Sequence, residues 1–115
     1  MARLTTHVLD TARGQPGSGI AVRLYSLEGE RKLIASAVTN ADGRTDEPLL
    51  DGEASGAGKY ELEFDVGIYF AAYDAAPTPT PFLQDVVIRF QIAGDEHYHV
   101  PLLVSPWSYS TYRGS

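Results

Sequence analysis

A chain of 115 residues holds one domain, because a chain of this size builds a single hydrophobic core. With 43% apolar and 21% charged residues it has the composition of an ordinary globular protein; the absence of cysteine excludes disulfides, thiolate nucleophiles, iron–sulfur clusters and Cys-ligated zinc. Nine basic against fifteen acidic residues give a net charge of −6, a poor match for nucleic acid or an anionic membrane. A small domain without staples suits the cytoplasm better than a secreted setting. No apolar stretch approaches the length of a membrane span, and Met1 to His7 has no signal-peptide apolar region. No lipidation or retention motif marks Tyr112 to Ser115.

In chain order, Leu4 to Asp10 reads as the first strand and Arg13 to Gly19 as a loop. Ile20 to Ser26 and Arg31 to Thr39 are strands joined by the tight turn Leu27 to Glu30, which makes a hairpin. Asn40-Ala41-Asp42-Gly43 is a strong turn, since Asn, Asp and Gly tolerate positive φ. Arg44 to Leu50 carries Pro48 and suits an edge strand at most. Asp51 to Gly58 is a loop. Lys59 to Asp65 alternates cleanly, with Tyr60, Leu62 and Phe64 on one face and charged residues on the other. Val66 to Asp74 is too apolar for a loop and permits a short helix, whereas the three prolines between Ala75 and Pro81 enforce irregular chain. Gln84 to Ile92, His97 to Val104 and Ser108 to Tyr112 complete the strands, with a turn at Ala93 to Glu96 and a junction at Ser105-Pro106-Trp107. Seven or eight short strands and one helical segment predict an antiparallel β-sandwich.

Little in this chain matches a known catalytic motif. His97-x-His99 places two imidazoles on one strand face, and His7 would make a third ligand for zinc. The H-x-H pattern occurs by chance and no carboxylate stands at a diagnostic spacing, so no metal is expected. There is no G-x-S-x-G elbow, dinucleotide fingerprint or P-loop. His7, within an apolar and threonine-rich strand, is either a hydrogen-bonded histidine of the framework or a general base. Composition leaves both readings open.

Three segments carry a resemblance. They are Leu4-Thr5-Thr6-His7-Val8-Leu9-Asp10 with Arg13-Gly14-Gln15-Pro16, then Thr39-Asn40-Ala41-Asp42-Gly43-Arg44, and then His97 to Pro106 running on to Tyr109 through Ser115. Together they resemble the transthyretin-related 5-hydroxyisourate hydrolases over Leu4 to Ser115, with the terminal Tyr112-Arg113-Gly114-Ser115 as the most specific mark. Gly17 stands where that family usually has Ala, and Val104 where it has Leu; neither touches the chemistry.

The resemblance implies a transthyretin-like sandwich over residues 1–115: two four-stranded sheets with one short helix after the fifth strand, where Val66 to Asp74 falls. It also implies a homotetramer, a dimer of dimers, with active sites where the dimers meet in a central channel. The family's catalytic residues fall on His7, Arg44, His99 and Ser115, and substrate-binding positions on His7, Arg44, Tyr112 and Arg113. Strand alternation sets His97, His99, Pro101 and Leu103 on one face, with His97 about 7 Å farther along the strand, which makes it a supporting residue. The implied reaction is hydrolysis of 5-hydroxyisourate to 2-oxo-4-hydroxy-4-carboxy-5-ureidoimidazoline, without a cofactor. His7 and His99 would supply base and acid, Arg44 would hold negative charge, and Ser115 would orient water or a histidine through its hydroxyl or carboxylate. Tyr112 and Arg113 would shape the pocket. The rival classes are a hormone carrier of the same fold, which would lack the His7/Arg44/His99 set, and a plain interaction module, which would have no use for histidines facing one channel.

Overall fold

The computed structural model describes residues 3–51, 56–73, 80–94 and 96–114. Ser115 lies outside them, as do Asp74, most of the proline-rich stretch expected to be irregular, and part of the loop expected over Asp51 to Gly58.

Eight strands and one helix follow one another: β1 (Arg3–Asp10), β2 (Gln15–Pro16), β3 (Ala21–Ser26), β4 (Lys32–Val38), β5 (Gly58–Phe64), α1 (Val66–Tyr73), β6 (Val86–Ile92), β7 (His97–Val104) and β8 (Tyr109–Thr111). They form two four-stranded sheets, β2-β1-β7-β8 and β4-β3-β5-β6. The expected sandwich with a single short helix is present.

The cause is period-2 patterning. Leu4, Thr6, Val8 and Asp10 of β1 point inward, as do Tyr98, Val100, Leu102 and Val104 of β7. They meet Val22, Leu24, Leu62 and Phe64 of the second sheet in one core. Burial of each such large side chain stabilises the fold by about 1.5–3 kcal/mol. The remaining positions of β1 and β7 are left for the outer face of the first sheet.

The outer face of the second sheet is charged and self-contained. Arg23 pairs with Glu63 and Asp65, and Arg31 and Arg89 both reach Glu61. Burial pushes the Glu61 carboxyl up, but the hydrogen bonds from Arg31 and Arg89 outweigh it and hold it below the ordinary glutamate range.

Three expectations change. β1 and β7 run parallel, pairing Thr5 with His99 and His7 with Pro101, so the sandwich is not wholly antiparallel. Alternation reports which face a side chain takes and not the direction of its neighbour. Gln15–Pro16, expected within a loop, forms a two-residue strand against Leu9 and Asp10. Arg44 to Leu50 makes no strand. It touches β1 only through the isolated bridges His7–Arg44 and Leu4–Leu50, as the missing N–H of Pro48 requires.

Helix α1 is held at the far end of β1. The Tyr69 hydroxyl donates to Asp10 Oδ2 at 2.7 Å, and Asp10 Oδ1 accepts the N–H groups of Ala12 and Arg13, each at 3.0 Å. Burial, and then the bond to Asp10, push the Tyr69 phenol up to about 12.

Candidate active site

The parallel register of β1 and β7 sets Thr5, His7, His97 and His99 side by side on the outer face of the first sheet. A turn brings Arg44 to the same place. Asn40 Oδ1 accepts the N–H groups of Asp42 (2.9 Å) and Arg44 (3.2 Å), and Gly43 sits at φ 78°. The Gly43 carbonyl accepts the Val8 N–H at 2.8 Å, so the turn lies against β1. A side chain at position 43 would strike the Val8 carbonyl oxygen, which explains the glycine on steric as well as conformational grounds.

Thr5, Thr6, Arg44, Thr45, His97 and His99 line a cavity of about 280 Å³. His7 stands beside it, bridged to Arg44 through the backbone. Arg44 is exposed and its guanidinium has no ion pair among the described residues. It is therefore a cation available to a ligand.

Both imidazoles are biased toward the neutral form. His7 lies below the ordinary histidine value, mainly through burial and then through Arg44, against a backbone hydrogen bond and charge from Asp42. His99 is pushed down by burial first, then by Arg44, His7 and His97. A neutral imidazole can take a proton from water, and an adjacent fixed cation can stabilise developing negative charge.

His99 is gripped on two sides. Its Nδ1 lies 2.8 Å from Thr5 Oγ1, and its backbone carbonyl accepts the Gly114 N–H at 2.7 Å. A Cβ on Gly114 would fall 2.9 Å from His99 Cδ2, so the ring edge rests against the glycine. His97 Nε2 lies 2.9 Å from the same Thr5 oxygen.

Of the residues expected in the site, His7, Arg44 and His99 are thus brought together. Tyr112 is exposed, and the Arg113 guanidinium pairs with Glu96 at 2.6 Å and stacks on the Tyr98 ring at 4.2 Å. Ser115 is outside the described residues. Thr5 was missed because threonine is an ordinary strand residue, although its place two residues before His7 gave it the same face. Among the described residues no three His, Asp, Glu or Cys side chains gather closely enough to hold a metal ion. Two other surface cavities, about 320 Å³ beside α1 and about 670 Å³ along β4, contain no histidine.

Residues 4–114 match the HIUase/Transthyretin family. A 5-hydroxyisourate hydrolase of Pseudomonas aeruginosa is 56% identical, over 100% of this chain and 93% of its own. The solved structure of Klebsiella pneumoniae 5-hydroxyisourate hydrolase superposes with a TM-score of 0.82 at 36% identity, with full coverage of both chains. A crystal structure of (S)-allantoin synthase gives a TM-score of 0.91 at 45% identity; 99% of this chain corresponds to 44% of that longer one. The chain belongs to the HIUase/Transthyretin family.

Proposed function

We propose that this protein hydrolyses 5-hydroxyisourate to 2-oxo-4-hydroxy-4-carboxy-5-ureidoimidazoline, a step of urate degradation. The observation that carries the proposal is that Arg44 and His99 line one open cavity with His7 beside it, bridged to Arg44 through the backbone. The 5-hydroxyisourate hydrolases among its relatives support the choice of substrate. A hormone carrier would need no two imidazoles biased toward the neutral form beside an arginine that has no ion pair among the described residues.

The reaction opens a cyclic amide. Water attacks the carbonyl carbon and loses a proton to the His7/His99 imidazole pair; the C–N bond then breaks and the nitrogen takes up the proton that the pair holds. Arg44 holds the substrate and balances the developing oxyanion, a role suited to its planar, permanently charged fork. Ser115 orients water or a histidine, and Tyr112 and Arg113 border the substrate. The chain supplies these groups as one domain spanning residues 1–115, without a cofactor, in the cytoplasm. It assembles as a homotetramer, a dimer of dimers, whose sites draw on facing subunits. Its other partners do not include nucleic acid or membrane.

The direct test is the ultraviolet decay of freshly generated 5-hydroxyisourate. Acceleration by the wild-type protein, lost in His7→Ala and His99→Ala, is expected. Decay at the spontaneous rate with the wild-type protein overturns the proposal.

A further inference from the structure

Thr5 Oγ1 touches two imidazole nitrogens at once, His99 Nδ1 at 2.8 Å and His97 Nε2 at 2.9 Å. A hydroxyl carries one proton. It donates to one nitrogen, and the other contact is kept only if that nitrogen is an N–H donor. With both rings neutral, two arrangements satisfy this rule. In one, His97 Nε2–H donates to Thr5 and Thr5 donates to His99 Nδ1, leaving the His99 proton on Nε2. In the other, His99 Nδ1–H donates to Thr5 and Thr5 donates to His97, leaving His99 Nε2 bare. The two differ in which nitrogens hold the protons along this path. Because Nδ1 is engaged and the Cδ2 edge rests on Gly114, Nε2 is the ring nitrogen that remains for chemistry.

The surroundings give this path a direction. His99 is half-buried and borders Arg44 and His7, so an imidazolium there is disfavoured. His97 is exposed, at the open end of the path. Among the described residues, the other ionisable groups around the pair are Arg3, in register with His97 on β1, and the Glu96–Arg113 ion pair at the start of β7.

We propose that Thr5 is a positioning residue that joins His99 to His97 in a proton relay, so that charge arising on His99 leaves through the exposed His97. His99 Nε2 takes a proton from the attacking water while Nδ1–H passes its proton to Thr5 Oγ1. The Thr5 hydroxyl proton moves at the same time to His97 Nε2. One N–H and two O–H bonds break, the water's among them, and one O–H and two N–H bonds form. His99 ends neutral and His97 ends as a solvated imidazolium. His97 then releases its Nδ1 proton to water, or returns the Nε2 proton along the same path for the leaving nitrogen. The role in turnover rests on the hydrolase reading; the linkage between the rings does not.

The chain has three histidines, so the ring nitrogens of the 15N-labelled protein can be assigned with single His→Gln variants. With both rings neutral, the Nδ1 and Nε2 shifts of His97 and His99 are expected to report the linked tautomers that the shared Thr5 hydroxyl imposes. Thr5→Val removes the hydroxyl at nearly constant shape and should change the tautomers of both rings together, while the direct charge interaction between them remains. It should also lower kcat on 5-hydroxyisourate about 10- to 100-fold with little change in KM, the scale of a lost proton-transfer group. Thr5→Ser should restore both. His97→Gln should lower kcat similarly, and the Thr5→Val/His97→Gln double variant should be no worse than the poorer single one. Losses that multiply, or unchanged His99 ring-nitrogen shifts in Thr5→Val, overturn the relay. If Thr5→Val does not fold, His97→Gln and Thr5→Ser carry the test from the other end. A wild-type protein inactive on 5-hydroxyisourate defeats the hydrolase reading, while the ring-nitrogen shifts still decide the linkage.

Discussion

At the scale of single residues, the pairing of His7 and His99 with Arg44 dictates how activity depends on pH. Each ring lies below the ordinary value of 6.5, through burial first and Arg44 next. A base must be neutral to act, so kcat/KM should hold as the pH falls past 6.5 and decline only below it. Folding carries the same sign. The unfolded chain binds these protons before the native protein does, so stability drops as the pH falls through the window below 6.5 and is fully present above it. Replacing Arg44 by Gln removes one depressing charge, and the acidic limb of the rate profile should move toward higher pH. A limb at or above 6.5 in the wild type, or one that moves down in Arg44→Gln, contradicts this account. His99 and His97 were legible on one face because alternation is a property of the strand. The contact of both with Thr5 was not, since it depends on the register of two strands more than ninety residues apart in the chain.

Among elements, the parallel β1–β7 pair builds the site and the flanking segments complete it. The segment after β8 returns to β7 at Gly114, whose added Cβ would sit 2.9 Å from His99 Cδ2. Gly114→Ala should therefore displace the His99 ring. About a 10- to 100-fold loss of kcat is expected, the scale of a sub-ångström to 1 Å misplacement, with the melting temperature nearly unchanged. Kinetics within twofold of wild type would show that the ring edge has room to move. The opposite behaviour is expected of Tyr69, which ties α1 to the end of β1 through Asp10. Tyr69→Phe leaves a buried oxygen short of one donor. It should cost about 2 kcal/mol in denaturant unfolding while kcat stays near wild type, because Asp10 lies beyond the histidines along β1. The helix was legible as an apolar stretch without strand alternation. The short strand at Gln15–Pro16 and the broken edge at Arg44 to Leu50 were not, because each depends on backbone approach to β1 and not on side-chain pattern.

Over the whole molecule, the two outer faces are unlike. Ion pairs largely complete the second sheet within one chain, whereas at the first sheet Thr5, His97 and His99 line an open cavity together with Arg44, and His7 stands beside it. β2 and β8 are the edges of the first sheet and β4 and β6 those of the second; every residue of β8 is exposed, including Tyr109 at 45%, and Trp107 just before it is 71% exposed. Unpaired edges and exposed aromatic side chains on a small domain favour association with further copies. The proposed homotetramer predicts a light-scattering mass near four times the 12.5 kDa of the chain. It also predicts that activity depends on assembly. If each site draws on facing subunits, turnover per chain should be constant at high concentration and fall on dilution, in step with the loss of tetramer mass. A site complete in one chain would keep its specific activity through dissociation, because His7, Arg44 and His99 all come from the same subunit. Measuring mass and turnover on the same dilution series separates the two. A 12.5 kDa particle with undiminished turnover defeats the shared site and leaves the single-chain cavity as the whole catalytic centre. A parallel decline of mass and turnover would tie catalysis to the meeting of two copies across the first sheet.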